Sequence, residues 1–154
     1  MTNIESKNLT MVAPRSPYEK IGGFAILART IDKCRATIAG TNGEYHFDCP
    51  VDNILFNFKG INGADFKAYV EEGHTDDEIV QWVQNNGIPK TDEEIQAWSD
   101  SFKTDFSYAT NPEKKDWFIG ECTRLGLDPM KTTLFDYLDV DDTVSYGTGE
   151  VCPV

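Results

Sequence analysis

Apolar residues recur along most of this chain at intervals of three and four, the spacing that gathers side chains on one face of an α-helix. From Tyr18 to about Ile38 the register is carried by Ile21, Phe24, Ala25, Ala28, Ile31 and Cys34, which predicts one long helix. Pro14-Arg15-Ser16-Pro17 ahead of it reads as a turn, and Gly40 supplies the stop. Gly22-Gly23 conflicts with the pattern. A glycine inside a helix costs about 1 kcal/mol, so the pair implies either a later helix start or close approach by another group.

Helical signals continue over a short piece near 52–58 and another over 64–70. Two segments then repeat: Thr75-Asp76-Asp77-Glu78-Ile79-Val80-Gln81-Trp82 and Thr91-Asp92-Glu93-Glu94-Ile95-Gln96-Ala97-Trp98 share the pattern T-D-[DE]-E-I-x-x-W. Each reads as a capping box, in which the threonine hydroxyl accepts from an amide three residues on and the glutamate there reaches back to the threonine amide. Acidic side chains suit the first turn of a helix, so these clusters are expected to be structural. Asn111-Pro112 is expected to open a helix through Trp117 and Ile119 towards Leu125, with Gly126 as its end, and a last helix is expected over 130–138.

One stretch breaks the period. Gly43-Glu44-Tyr45-His46-Phe47-Asp48-Cys49-Pro50 alternates polar and apolar residues, which predicts a half-buried extended segment. Tyr45, Phe47 and Cys49 then face one side, and Glu44, His46 and Asp48 the other. The expected fold class is therefore mainly α: a single compact helical domain over 14–146 with one short extended segment around 43–49. A polar leader over 1–13 precedes it, and a tail over 147–154 is expected to be mobile.

Composition narrows the picture. A chain of 154 residues has the size of one domain, and 40% hydrophobic with 12% aromatic residues is enough to build a core. The apolar run from Ile21 to Ala28 stops at Arg29, well short of a bilayer span, and the leader lacks the apolar stretch of a signal peptide. A cytoplasmic address without a membrane partner is expected. Four cysteines without a C-x-x-C pair argue against a disulfide framework or zinc site and read as idle thiols. A net charge of −12 argues against nucleic-acid binding. The charge is uneven, however: residues 1–40 hold six basic and three acidic residues, while the remainder holds eight and 23. The basic segment is thus either held against the acidic remainder or directed at an anionic ligand.

The candidate chemistry is correspondingly narrow. Asp139, Asp141 and Glu150 fall at positions one, three and twelve of a calcium-binding loop, but the sixth position, which must be glycine, is Val144. No metal is expected, and the aspartates read as a solvated acidic helix end. No glycine-rich phosphate motif and no G-x-S-x-G is present, so no cofactor is expected either. There remains Glu44-x-His46-x-Asp48, an imidazole with a carboxylate ~7 Å to each side along an extended segment. Flanking anions favour the imidazolium, so His46 is the candidate proton shuttle, oriented by Glu44 and Asp48. On the preceding helix Arg29 and Lys33 stand four apart on one face and could grip a carboxylate or phosphate. Arg35 and Tyr45 complete the candidate binding set.

At these residues the sequence resembles a known bacterial family, domain-of-unknown-function family 5069. The likeness rests on Pro14-Arg15-Ser16, Gly22-Gly23, Arg29, Asp32-Lys33-Cys34-Arg35-Ala36, Gly43-Glu44-Tyr45-His46 and Cys49-Pro50, with Asp77, Trp82, Trp98 and Asp139 to Asp142 further on. The resemblance implies no reaction and no catalytic residues. From the residues themselves the leading expectation is a cofactor-free acid/base enzyme of lyase, isomerase or cyclase type acting on a small anionic metabolite. The alternative is a noncatalytic helical module that binds a partner protein, with Trp82, Trp98 and Trp117 as core or anchors.

Overall fold

The centre of the molecule is a helix on which every residue from 27 to 34 is buried, charged ones included. This is α1, Leu27–Ala39. The computed structural model describes residues 6–148, and around α1 it arranges α2 (Pro50–Lys59), α3 (Gly63–Glu71), α4 (Asp76–Asn85), α5 (Asp92–Ser101), α6 (Lys115–Leu125) and α7 (Leu134–Thr148). Short 3-10 turns at Phe102–Thr104, Ser107–Ala109 and Pro129–Lys131 join the later helices. Among the described residues there is no strand, only an isolated bridge between Ile21 and Phe24, so the chain is all-α. The expected mobile tail lies outside the described residues beyond Thr148, and Gly147 and Thr148 end α7.

The first helix starts nine residues later than its apolar register predicts, and the glycine pair is the reason. Gly22 and Gly23 have positive φ (59° and 85°), as does Ile26 (φ 72°) just before α1. Both alternatives offered by the glycines hold at once. A Cβ on Gly22 would lie 2.3 Å from a methyl of Val80, and the Gly23 carbonyl accepts a 2.7 Å hydrogen bond from Ser99. The apolar residues of 21–25 are therefore buried against α4 and α5 as a folded loop rather than as a helical turn.

The two capping boxes form as expected. Thr75 with Glu78 and Thr91 with Glu94 exchange both hydrogen bonds, and the helices they open carry Trp82 and Trp98 inward. Trp82 stacks on Tyr69 and Trp98 on Phe58, with ring centroids 5.4 and 4.4 Å apart. Lys59 at the end of α2 is fully enclosed, and its ammonium donates to the carbonyl of Ile88, 2.7 Å away, in the loop after α4. Burial first, and Lys90 second, hold its pKa below the ordinary lysine value.

Three other expectations need correction. Residues 43–49 are not extended: turns occupy 43–44 and 47–48, the Tyr45 amide donates back to the Asn42 carbonyl, and Asp48 is left-handed at φ 63°. The division of faces survives the change, since Tyr45 and Cys49 are buried while Glu44, His46 and Asp48 are exposed. The helix expected from Asn111-Pro112 starts at Lys115, because the Asn111 side chain accepts from the Glu113 amide and closes a turn of its own. The last helix begins at Leu134, where Thr133 and Asp136 exchange a reciprocal cap, and runs ten residues past Leu138.

Candidate functional site

The candidate residues gather around α1, where its basic groups meet carboxylates from three other parts of the chain. Arg29 is 2% exposed and holds Asp142 of α7 through two nitrogens at 2.7 and 3.3 Å. The Tyr45 hydroxyl donates to the same carboxylate at 2.7 Å, and its ring lies 5.5 Å from the guanidinium. Burial alone would lower the pKa of Arg29, but the hydrogen bond and charge of Asp142 outweigh it and the net direction is upward. A bidentate guanidinium–carboxylate pair is the arrangement in which a buried charge is best tolerated.

One turn on, Lys33 faces a different partner. Its Nζ lies 3.1 Å from Asp52 of α2 and donates to Cys49 Sγ at 3.0 Å. Asp52 is wholly enclosed and also accepts from the Thr30 hydroxyl at 2.7 Å and the Asp48 amide at 2.9 Å. Arg35 donates to Asp76 at 2.7 Å and to the His74 carbonyl at 3.0 Å. Asp76 also accepts from Arg15, which in turn grips Asp32 of α1 with its backbone and side-chain nitrogens. Burial pushes the Asp76 pKa up, yet Arg15 and Arg35 together bring it below the ordinary value of 3.8.

Arg29 and Lys33 thus share a helix but do not converge on one anion. Arg29 is directed at α7 and Lys33 at α2, and each is closed off by a carboxylate of this chain. Of the two roles open to the basic segment, the structure shows it paired with the acidic remainder. The aspartates read as a solvated helix end include two of the buried partners, Asp142 and, 2.7 Å from Arg124, Asp141.

The polar set sits elsewhere. Glu44 and His46 are exposed and hydrogen-bond to no described residue. Asp48 is held as a corner piece: Asn53 donates to its carboxylate at 2.9 Å, and that carboxylate lies over Gly63, where a Cβ would come within 2.6 Å of it. The Asp48 carboxylate therefore rests against the first turn of α3, which suits its charge. Among the described residues no group of three or more histidine, cysteine or acidic side chains could hold a metal ion, and no helix is long and apolar enough to cross a membrane.

A concave feature opens beside this region. Pro50, Val51 and Ile54 of α2 form one wall of a cleft of about 550 Å³, and Tyr108, Trp117 and Leu134 the other, with Glu113 and Lys114 adding charge. Its size is within the range of sites that take a small molecule or a large side chain. Trp117 stays 41% exposed although it packs edge-on against Tyr137.

Comparison with family models finds a match over residues 11–144, nearly the whole chain. The chain belongs to the family described as Domain of unknown function (DUF5069). A comparison with curated proteins finds no match. In this DUF5069 chain the residues that carry the resemblance include much of the ion-pair network: Arg15, Arg29, Asp32, Lys33, Arg35 and Asp142, with Tyr45 and Cys49 packed into it. Sequence reasoning missed Asp52, Asp76 and Cys49 as members. The charge asymmetry between the first forty residues and the rest was the available signal, but it cannot say which of 23 acidic residues is which partner.

Proposed function

We propose that this DUF5069 protein is a noncatalytic module that binds a partner protein, receiving one of its apolar side chains in the cleft between α2 and α6. The observation that carries the reading is the apolar surface on that end of the molecule. Trp117 and Ile119 of α6, Met130 of the Pro129–Lys131 turn and Phe106 beside the Ser107–Ala109 turn are all exposed, on elements that pack against one another. Exposed apolar surface on a folded domain costs solubility and is commonly an interaction site. The enclosure of Arg29 and Lys33 weighs the same way, because it removes the cations on which an anion-processing enzyme would depend.

Selection from a phage-displayed peptide library against the purified protein tests the reading. Selected peptides should carry an aromatic or branched apolar anchor, and Trp117→Ala should weaken their binding by about 2 kcal/mol, on the order of 30-fold. His46→Ala should leave the affinity unchanged. Peptides indifferent to Trp117 would refute the cleft as the binding site. Turnover of a small carboxylate or phosphate ester that disappears with His46→Ala would restore the acid/base enzyme.

A further inference from the structure

Cys49 and Lys33 meet side chain to side chain within the ion-pair network of α1. The Lys33 ammonium donates to Cys49 Sγ at 3.0 Å while Asp52 holds the same nitrogen at 3.1 Å. Cys49 is the N-cap of α2, with Pro50 following it, and no side-chain hydrogen bond caps that helix end. A sulfur at a helix N-terminus beside an ammonium occupies the electropositive kind of surroundings in which cysteines are oxidised. The other buried thiols of the described residues lack them. Cys34 is fully enclosed and its pKa is pushed up to about 12, first by burial, and burial likewise raises Cys122. Cys49 alone of the three retains some exposure, at 6%, and the two residues after it line the open cleft.

We propose that Lys33 and Cys49 are a modification site: peroxide joins them through a bridging oxygen, giving a covalent Nζ–O–Sγ link between α1 and the start of α2. In the first step the sulfur attacks one oxygen of hydrogen peroxide, the O–O bond breaks, and Cys49 becomes a sulfenic acid with release of water. A second peroxide oxidises the pair further. The nitrogen gives up its protons, with Asp52 as the adjacent acceptor, the N–O bond forms, and the second peroxide leaves as two molecules of water. Overall one amine, one thiol and two peroxides give the bridged product and three waters. The separation favours this product over a direct N–S bond. An inserted oxygen spans atoms 3.0 Å apart with little movement, whereas a direct bond would pull two buried side chains out of their packing.

The test uses the full-length protein carrying Cys152→Ser, treated with hydrogen peroxide while folded. Intact mass should rise by one oxygen and fall by two hydrogens, and thiol reductant should reverse the change. Because trypsin cannot cleave after a bridged Lys33, the digest should contain residues 30–35 joined to residues 36–59, with fragment ions placing the link on Lys33. Cys49→Ser and Lys33→Arg should both abolish the linked peptide, the latter while keeping a cation beside Asp52. Should Lys33→Arg not fold, the linked peptide of the parent protein decides alone. A product that has lost two hydrogens without gaining oxygen, a sulfenic acid trapped equally in parent and Lys33→Arg, or a Cys49 that stays unreacted in the folded protein would each overturn the proposal.

Discussion

Replacing Asp142 with alanine removes the carboxylate paired with a guanidinium that is 2% exposed. Among the described residues the Arg15 carbonyl, at 3.4 Å, then remains as an acceptor for Arg29, and the hydrogen bond from the Tyr45 hydroxyl to Asp142 is lost as well. An uncompensated buried charge costs about 3–5 kcal/mol. For a chain of this size each kcal/mol moves the melting midpoint by about 2–4 °C, so Asp142→Ala should lower it by about 6–20 °C. Urea titration should place the loss in the midpoint rather than the slope. The combined variant Arg29→Met, Tyr45→Phe, Asp142→Leu removes the guanidinium, the hydroxyl and the carboxylate together, so that no buried charge is left without its counterion, and should cost less than Asp142→Ala alone. His46→Ala, at an exposed position without described partners, should stay within about 0.5 kcal/mol of the parent. A cost below about 1 kcal/mol for Asp142→Ala, or single losses that simply add up in the combined variant, would refute the view of Arg29 as a structural cation.

Two further outcomes follow from the geometry. Gly87→Ala should cost at least about 2 kcal/mol by urea denaturation, because its φ is +73° and the new Cβ would fall 1.9 Å from the Lys59 carbonyl; Gly126→Ala, equally left-handed but with open space around it, should cost only about 1 kcal/mol. Acid should weaken the fold in part through Asp76: its folded pKa lies below the ordinary 3.8, so its contribution is present above that value and is lost as pH falls through the lower, folded one, and Asp76→Asn should flatten the stability profile below about pH 4.

Much of the fold was legible because the signals are local. Capping boxes at Thr75 and Thr91, the left-handed stop at Gly126 and the helical register of α2 and α3 each depend on residues within one turn of each other. The misread start of α1 has a different cause. Apolar spacing over 21–25 is helical, but those residues are buried by contacts with Val80, Ile95 and Ser99, far along the chain. Alternation over 43–49 correctly separated buried from exposed side chains, yet two turns produce the same separation as an extended segment. The candidate site was legible only as a surplus of basic charge. Whether Arg29 faced a ligand or Asp142 depended on a contact 113 residues away, which no local pattern encodes.

The ion pairs of α1 also constrain how relatives of this chain can diverge. Changing Arg29 or Asp142 alone passes through a state with one buried, unmatched charge, and so does changing Lys33 or Asp52. Such exchanges are closed to single steps and open to joint ones. Positions 29 and 142, and 33 and 52, should therefore vary across the family as linked characters: both charged, both neutral, or reversed together.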